Sequence, residues 1–276
     1  MADQGNISDI LGGVLGHRDL PSVLTDGVAL WHDIVYDPKN TPFRGQMKSV
    51  SESKPMSDKR AIFIHGAGGG SWEWQLWQPV FEAWGIESIA IDLEPNANGL
   101  ENTRFEDYRQ QVQSVATEGD TLIGASLGGL IAMATHDVAA RVLINPMPPL
   151  AMIDEPAAKD LPAIIPWSTL GFRSHQRSMG NAYAATVLAT HGRWRDESGQ
   201  VLTDAFNGIV AHPDGTPTVV MASELDEDIP AQTSMQLALN WKADLWQLRG
   251  ETHLSPLLGR NATTLAERVA RFMLDI

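Results

Sequence analysis

From Arg60 onward, short apolar runs alternate with stretches of helical spacing. Ala61-Ile62-Phe63-Ile64 reads as a buried strand, and Leu76 to Trp84 carries apolar residues at 76, 77, 80, 81 and 84, the spacing of one helix face. Ile86 to Ile91 is predicted as the next strand, Phe105 to Thr117 as a helix and Thr121 to Ile123 as a strand. Leu127 to Thr135 follows as a helix and Arg141 to Ile144 as a fourth strand. The rhythm resumes with a strand over Thr218 to Ala222, a helix over Ala231 to Leu239, a strand over Leu245 to Leu248 and a last amphipathic helix. Within that last segment, Thr264-x-x-Glu267 offers a capping box. Strands alternating with helices require right-handed crossovers, so the expected class is α/β, a mostly parallel central sheet flanked by helices.

Between the two halves the pattern breaks. Residues 146–212 hold six prolines, Ala-rich stretches, Trp167 and Trp194, the composition of an inserted helical cap rather than more sheet. The expected organisation is therefore an N-terminal extension and first strands at 1–59, a core at 60–145 and 213–276, and a cap at 146–212. In the extension, Val28 to Val35 reads as a strand and Ser49 to Lys59 as an exposed loop. No repeat of about 20–50 residues is visible, which argues against a solenoid or propeller.

Composition narrows this picture. The 276 residues include 34 acidic and 20 basic side chains, a net charge of −14 that repels phosphate backbones and anionic lipid. Nucleic acid and membrane surfaces are thus not expected as partners; a small-molecule substrate is. The chain has no cysteine, which removes a disulfide framework, a zinc ribbon and a thiol nucleophile together. The N-terminus carries Asp3 where a signal peptide would carry Lys or Arg, and the apolar run after it is short and Gly-rich, so a cytoplasmic protein is expected. Oligomeric state is not legible.

Two glycine-rich motifs carry the candidate chemistry. Gly124-Ala125-Ser126-Leu127-Gly128-Gly129 lies between a predicted strand and a predicted helix, the context of a nucleophile elbow that presents Ser126 above the sheet edge. At a helix N-terminus, Ser126 also sits where free N–H groups face developing negative charge. The bland alternative is a helix-capping serine in a Gly-rich turn. A P-loop is excluded because no Gly-Lys-Ser/Thr occurs. Upstream, His65-Gly66-Ala67-Gly68-Gly69-Gly70-Ser71-Trp72 follows the strand at 61–64. Backbone N–H groups of such a loop can approach a tetrahedral oxyanion; the expected pair is Ala67 and Leu127. A dinucleotide loop is disfavoured because position 71 is Ser rather than the third Gly. His65 is expected to be a structural loop residue bonded to nearby backbone.

HGAGGGSWEW and GASLGG, in this order and after these strands, resemble the α/β-hydrolase superfamily; the first motif resembles the oxyanion loop of plant methylesterases and hydroxynitrile lyases. The resemblance covers residues 60–145 well, the part from 216 onward moderately and the cap hardly at all. Ala125 departs from the His or Cys of many members. The resemblance implies a triad in the order Ser, acid, His. The family's acid loop is similar to Ser223-Glu224-Leu225-Asp226-Glu227-Asp228-Ile229-Pro230, where only Asp226 has Pro four residues later. Asp226 is the expected acid and Glu224 the second candidate; Ser223 stands where the family has Gly. His253 is the only histidine after the acid and is the expected base. Within such a triad His253 would take the Ser126 proton while Asp226 fixes its tautomer.

Trp72, Trp74, Trp167 and Trp194 are candidate substrate-binding residues, with Met147, Met152 and Phe172 as possible neighbours in an apolar pocket; the alternative for each is core packing. No metal and no cofactor is called for: the histidines lack HExxH spacing and the 224–228 acids lack an EF-hand pattern. The leading expectation is hydrolysis of a carboxylic ester, lactone or thioester of a small to medium apolar substrate through an acyl-Ser126 intermediate. The alternatives are lyase or carbon–carbon bond chemistry on the same triad, and a non-catalytic binding protein.

Overall fold

The computed structural model describes residues 57–153 and 161–276. The strand expected at Val28 to Val35 and most of the loop expected at 49–59 lie outside them. Six parallel strands form the central sheet: β1 (Arg60–Ile64), β2 (Glu87–Ile91), β3 (Asp120–Ala125), β4 (Ala140–Ile144), β7 (Thr218–Ser223) and β8 (Asp244–Leu248). Their order is β2-β1-β3-β4-β7-β8. From β1, beside the middle, the described chain winds to one edge, returns and then winds to the other. The strand order thus reverses between β1 and β3, and ligands of open α/β sheets bind at the carboxyl ends of strands at such a point.

The four inner strands are buried throughout, apart from Arg60 at the start of β1, which explains their unbroken apolar runs. Alternate residues feed two cores. Ile62, Ile64, Leu122, Leu143 and Val220 face the helices α2 (Phe105–Val115), α3 (Leu127–Ala134) and α7 (Ala231–Trp241). Phe63, Ile123, Val142, Ile144 and Met221 face α1 (Gln78–Ala83) and the C-terminal helix α9 (Ala262–Asp275). The ends of the predicted elements move by only a few residues.

The capping box expected at Thr264 and Glu267 is corrected. Helix α9 begins at Ala262 after Asn261, so Thr264 already lies inside it and cannot serve as its N-cap. A reciprocal acid is found instead at α2, where Asp107 Oδ2 accepts the Arg104 N–H at 2.7 Å.

In the region between β4 and β7, α4 (Phe172–Met179), α5 (Ala184–His191) and α6 (Gly199–Asn207) surround a two-stranded antiparallel ribbon of β5 (Ile164–Ile165) and β6 (Glu197–Ser198). This layer lies over the carboxyl ends of the sheet, since its Arg195 and Glu197 bond to the loop that leaves β1. A short helix α8 (Ser255–Leu258) follows β8. Among the described residues no helix is long and apolar enough to cross a membrane.

Candidate active site

The elbow after β3 is forced by local packing. Ser126 has φ 54° and ψ −118°, a region L-residues seldom occupy. The surroundings hold it there. Ser126 N–H donates to Ile144 O at 3.0 Å, and Ser126 O accepts from Gly129 at 3.0 Å and Met147 at 3.1 Å. A Cβ on Gly124 would overlap the Gly128 carbonyl, and one on Gly128 would overlap Ile64 O. Both glycines are therefore required by the close approach of α3 to β1 and β3.

Asp226 and His253 come from loops after β7 and β8. His253 Nδ1 lies 2.7 Å from Asp226 Oδ2, while Asp226 Oδ1 accepts the N–H groups of Asp228 and Ile229, both at 2.9 Å. This anchors the carboxylate so that the neutral form of His253 carries its proton on Nδ1 and has Nε2 free to accept. Glu224 turns elsewhere: it is exposed and accepts the Gly250 N–H at 3.0 Å. Asn145 ties the two loops together, a role the sequence did not announce. It has φ 45°, is buried, accepts Ser223 N–H at 2.9 Å, and donates to Ser223 Oγ at 2.9 Å and to His253 O at 2.8 Å.

Ser126 and His253 line one cavity of about 40 Å³, together with Gly66, Ala67, Met147, Trp167, Trp194, Leu202, Glu73 and Asp228 among others. Ala67 lies within the loop after β1 and Leu127 directly follows Ser126, but of the two only Ala67 borders this space. Of the four expected tryptophans, Trp167 and Trp194 border it. The other two are corrected. Trp74 is fully buried, stacked on Phe63 at 4.7 Å and against Trp77 at 5.5 Å, so it belongs to the core behind the sheet. Trp72 meets Trp194 edge-on at 5.4 Å and braces it from the far side, as His175 does by stacking at 4.7 Å. Met152 and Phe172 also lie off the cavity, whereas Met147 lines it.

The loop 65–70 is held from outside. His65 Nε2 accepts from Leu93 N–H at 3.0 Å and faces an Arg195 guanidinium nitrogen at 2.9 Å, which leaves Nδ1–H to donate to Gly66 O at 2.7 Å. Burial keeps this ring neutral, its pKa lowered to about 4. It is the structural residue that was expected. Glu197 Oε2 accepts the Gly68 N–H at 2.9 Å, and Arg195 donates from its backbone N–H to Gly68 O at 2.8 Å and from Nε to Gly69 O at 2.7 Å.

Two acids in the cavity were not picked out from the sequence. Glu73 is 1% exposed; its Oε2 accepts the Gly66 N–H at 3.2 Å and its Oε1 has no partner. Burial pushes its carboxyl up to about 7, against the pull of the Gly66 N–H, His253 and Arg195. Asp228 is buried and likewise raised, mainly by burial. Burial disfavours the charged form of His253, yet Asp226, Asp228 and Glu73 outweigh it and raise the imidazole to about 9. The signal available in the sequence was weak: Glu73 is one polar residue between two tryptophans, and Asp228 one of four acids within five residues.

A strained serine above a parallel sheet, sharing a cavity with a histidine bonded to a carboxylate, under a helical layer, defines a class of proteins. The chain belongs to the alpha/beta hydrolase family, which matches it over residues 61–268. Among solved structures it is similar to a methylesterase from Arabidopsis, with a TM-score of 0.62 and 18% identity over 79% of this chain and 99% of that one. It is also similar to polyneuridine aldehyde esterase, with a TM-score of 0.58 and 18% identity over 79% of this chain and 99% of that one. A third similar structure is tomato methylketone synthase I complexed with 2-tridecanone, with a TM-score of 0.61 and 14% identity over 80% and 98%. No curated protein matches the sequence. At these identities the likeness is one of fold, and in fold the expected resemblance to the plant methylesterase group is borne out.

Proposed function

We propose that the protein is a carboxylic ester hydrolase that works through an acyl-enzyme on Ser126. The observation that carries this reading is the shared cavity: Ser126 in a strained elbow and His253, locked by Asp226 at 2.7 Å, border the same space. His253 Nε2 accepts the Ser126 proton as Oγ bonds to the acyl carbon. The Ala67 and Leu127 N–H groups take the negative charge on the carbonyl oxygen; each such donor is worth about 10²–10³ in rate. His253 then passes its proton to the departing alkoxide, and water repeats the sequence to release the acid. Two of the similar structures are named as esterases, which agrees with this chemistry. The walls supplied by Met147, Trp167, Trp194 and Leu202 suit a short, largely apolar acyl part.

The test is turnover of p-nitrophenyl acetate and butyrate by wild type and Ser126→Ala, with fluorophosphonate labelling. Labelling on Ser126 and a loss of about 10³-fold or more in kcat for Ser126→Ala are expected. Labelling without ester turnover would instead favour lyase or carbon–carbon cleavage. Neither labelling nor turnover would remove Ser126 as nucleophile.

A further inference from the structure

His253 hands its proton to the departing alcohol, so the alcohol part of the ester lies beside that ring. Helix α4 ends there. The Ser178 carbonyl accepts from Thr252 Oγ1 and from the Leu254 N–H, both at 2.8 Å, so one cap residue is tied to both neighbours of His253. The approach is close: a Cβ on Gly180, at φ 47°, would overlap the Thr252 side chain. Ser178 and Leu254 both border the catalytic cavity.

The face that α4 presents is set one turn earlier. His175 is buried and stacks at 4.7 Å on Trp194, which borders the same cavity. Ser178 follows three residues later, on the same face of the helix. Its hydroxyl bonds to nothing among the described residues. Thr135 and Thr190 differ, since their hydroxyls turn back to the carbonyl four residues before, each at 2.8 Å. Ser178 is half-buried, and its carbonyl alone makes the anchor to the histidine loop. A hydroxyl beside the reacting histidine, used neither by the helix nor by the anchor, is available to a substrate.

We propose that Ser178 binds the leaving group, so that the preferred substrate is the monoester of a 1,2-diol, whose free hydroxyl hydrogen-bonds to Ser178 Oγ. The inference rests on Ser126 being the nucleophile. Because Ser178 is bonded to the residues on either side of His253, the matching oxygen belongs on the carbon next to the one that carries the ester oxygen, not at the end of a long chain.

Two acetates of equal length test it, 2-hydroxyethyl acetate and propyl acetate. Both leave the same acetyl group on Ser126 and differ only in a terminal hydroxyl or methyl. Each kcat/KM is divided by that ester's rate with hydroxide, which removes the difference in intrinsic reactivity. Wild type should then favour the hydroxyethyl ester by about fivefold, the worth of one neutral hydrogen bond. Ser178→Ala should bring the ratio towards one, and it keeps the carbonyl that anchors α4 to residues 252 and 254. Equal or better turnover of propyl acetate in wild type overturns the assignment, as does an unchanged ratio in Ser178→Ala.

The reverse of the first step gives a second reading that needs no variant. When an alcohol attacks acetyl-Ser126, its oxygen bonds to the acyl carbon and His253 takes its proton. The bond from Ser126 Oγ to the acyl carbon then breaks, and the proton passes to Oγ. An alcohol that fits the leaving-group site is thus the better acceptor. With p-nitrophenyl acetate as donor and equal concentrations of ethylene glycol and 1-propanol, the initial rate per hydroxyl should be several times higher for hydroxyethyl acetate than for propyl acetate. Equal rates, or faster formation of propyl acetate, overturn the site. The two readings fail separately: loss of fluorophosphonate labelling in wild type removes the nucleophile, whereas intact labelling with flat ratios removes only the diol preference.

Discussion

His253 has to be neutral to accept a proton, and its surroundings hold it protonated. Burial alone would lower its pKa, but Asp226, Asp228 and Glu73 raise it to about 9. In the substrate-free enzyme, kcat/KM should therefore rise with pH through an apparent pKa well above the ordinary histidine value of about 6.5. Asp228→Asn removes one of the charges responsible and should move that pKa downward, measured as a pH profile of p-nitrophenyl acetate turnover. The sign for stability is opposite. A pKa raised on folding contributes stability that is complete below the unfolded value and is lost as pH rises through about 9. Asn145 acts at the same scale through two loops at once. Asn145→Ala leaves the Ser223 N–H without its acceptor and His253 O without its donor, so a loss of about 2–3 kcal/mol in urea unfolding is expected, with kcat falling more than KM rises. The pairing of Asp226 with His253 was anticipated from the resemblance, through the family's order of Ser, acid and His and its acid-loop pattern. Asn145 was not, because a single Asn after an apolar run looks like any strand end.

At the scale of elements, the strands and helices of the core were legible because burial on both sheet faces imposes continuous apolar runs and the covering helices impose a period near 3.6. Trp74 misleads for the same reason. An aromatic residue after a glycine-rich loop serves pocket and core equally well in composition, and only the Phe63 ring beneath it decides. The glycine-rich loop itself shows how two elements share one geometry. Gly68 has φ 66°, and a Cβ there would overlap the Trp167 ring. Gly68→Ala should thus displace the loop or the indole, lowering kcat by about 10²-fold, as for loss of one oxyanion donor, while Tm changes by a few degrees. Glu197→Gln keeps the side chain's size and one acceptor for the Gly68 N–H, so a smaller loss of kcat in the same assay is expected.

For the whole molecule, the winding of the chain puts the ends of β1, β3, β4, β7 and β8 in one place, and each carries part of the site. A buried charge network lies at the opposite end of the sheet. Arg141, fully buried on β4, donates to Ala132 O and Thr135 O and makes two bonds to Asp214 at 2.9 and 2.8 Å. Asp214→Ala would leave that guanidinium without its counter-charge. A loss of about 2 kcal/mol in urea unfolding is expected, below the usual 3–5 because Asp214 is one-third exposed and water partly replaces it. Bonding to Arg141 holds the Asp214 carboxyl well below its ordinary pKa, so its stabilisation is complete above about pH 4 and fades only in stronger acid. The segment between β4 and β7 stood out in the sequence as a proline-rich interruption of rhythm, but its attachment did not: nothing in the spacing of Arg195 or Glu197 points to Gly68 and Gly69. That attachment couples the walls of the cavity to the geometry of the glycine-rich loop. An acyl group long enough to displace Trp194 and β6 outward would also pull Glu197 away from the Gly68 N–H. Longer esters should then still be captured but stall before the bond breaks. In a series from acetate to octanoate, kcat should decline with chain length while KM holds or falls.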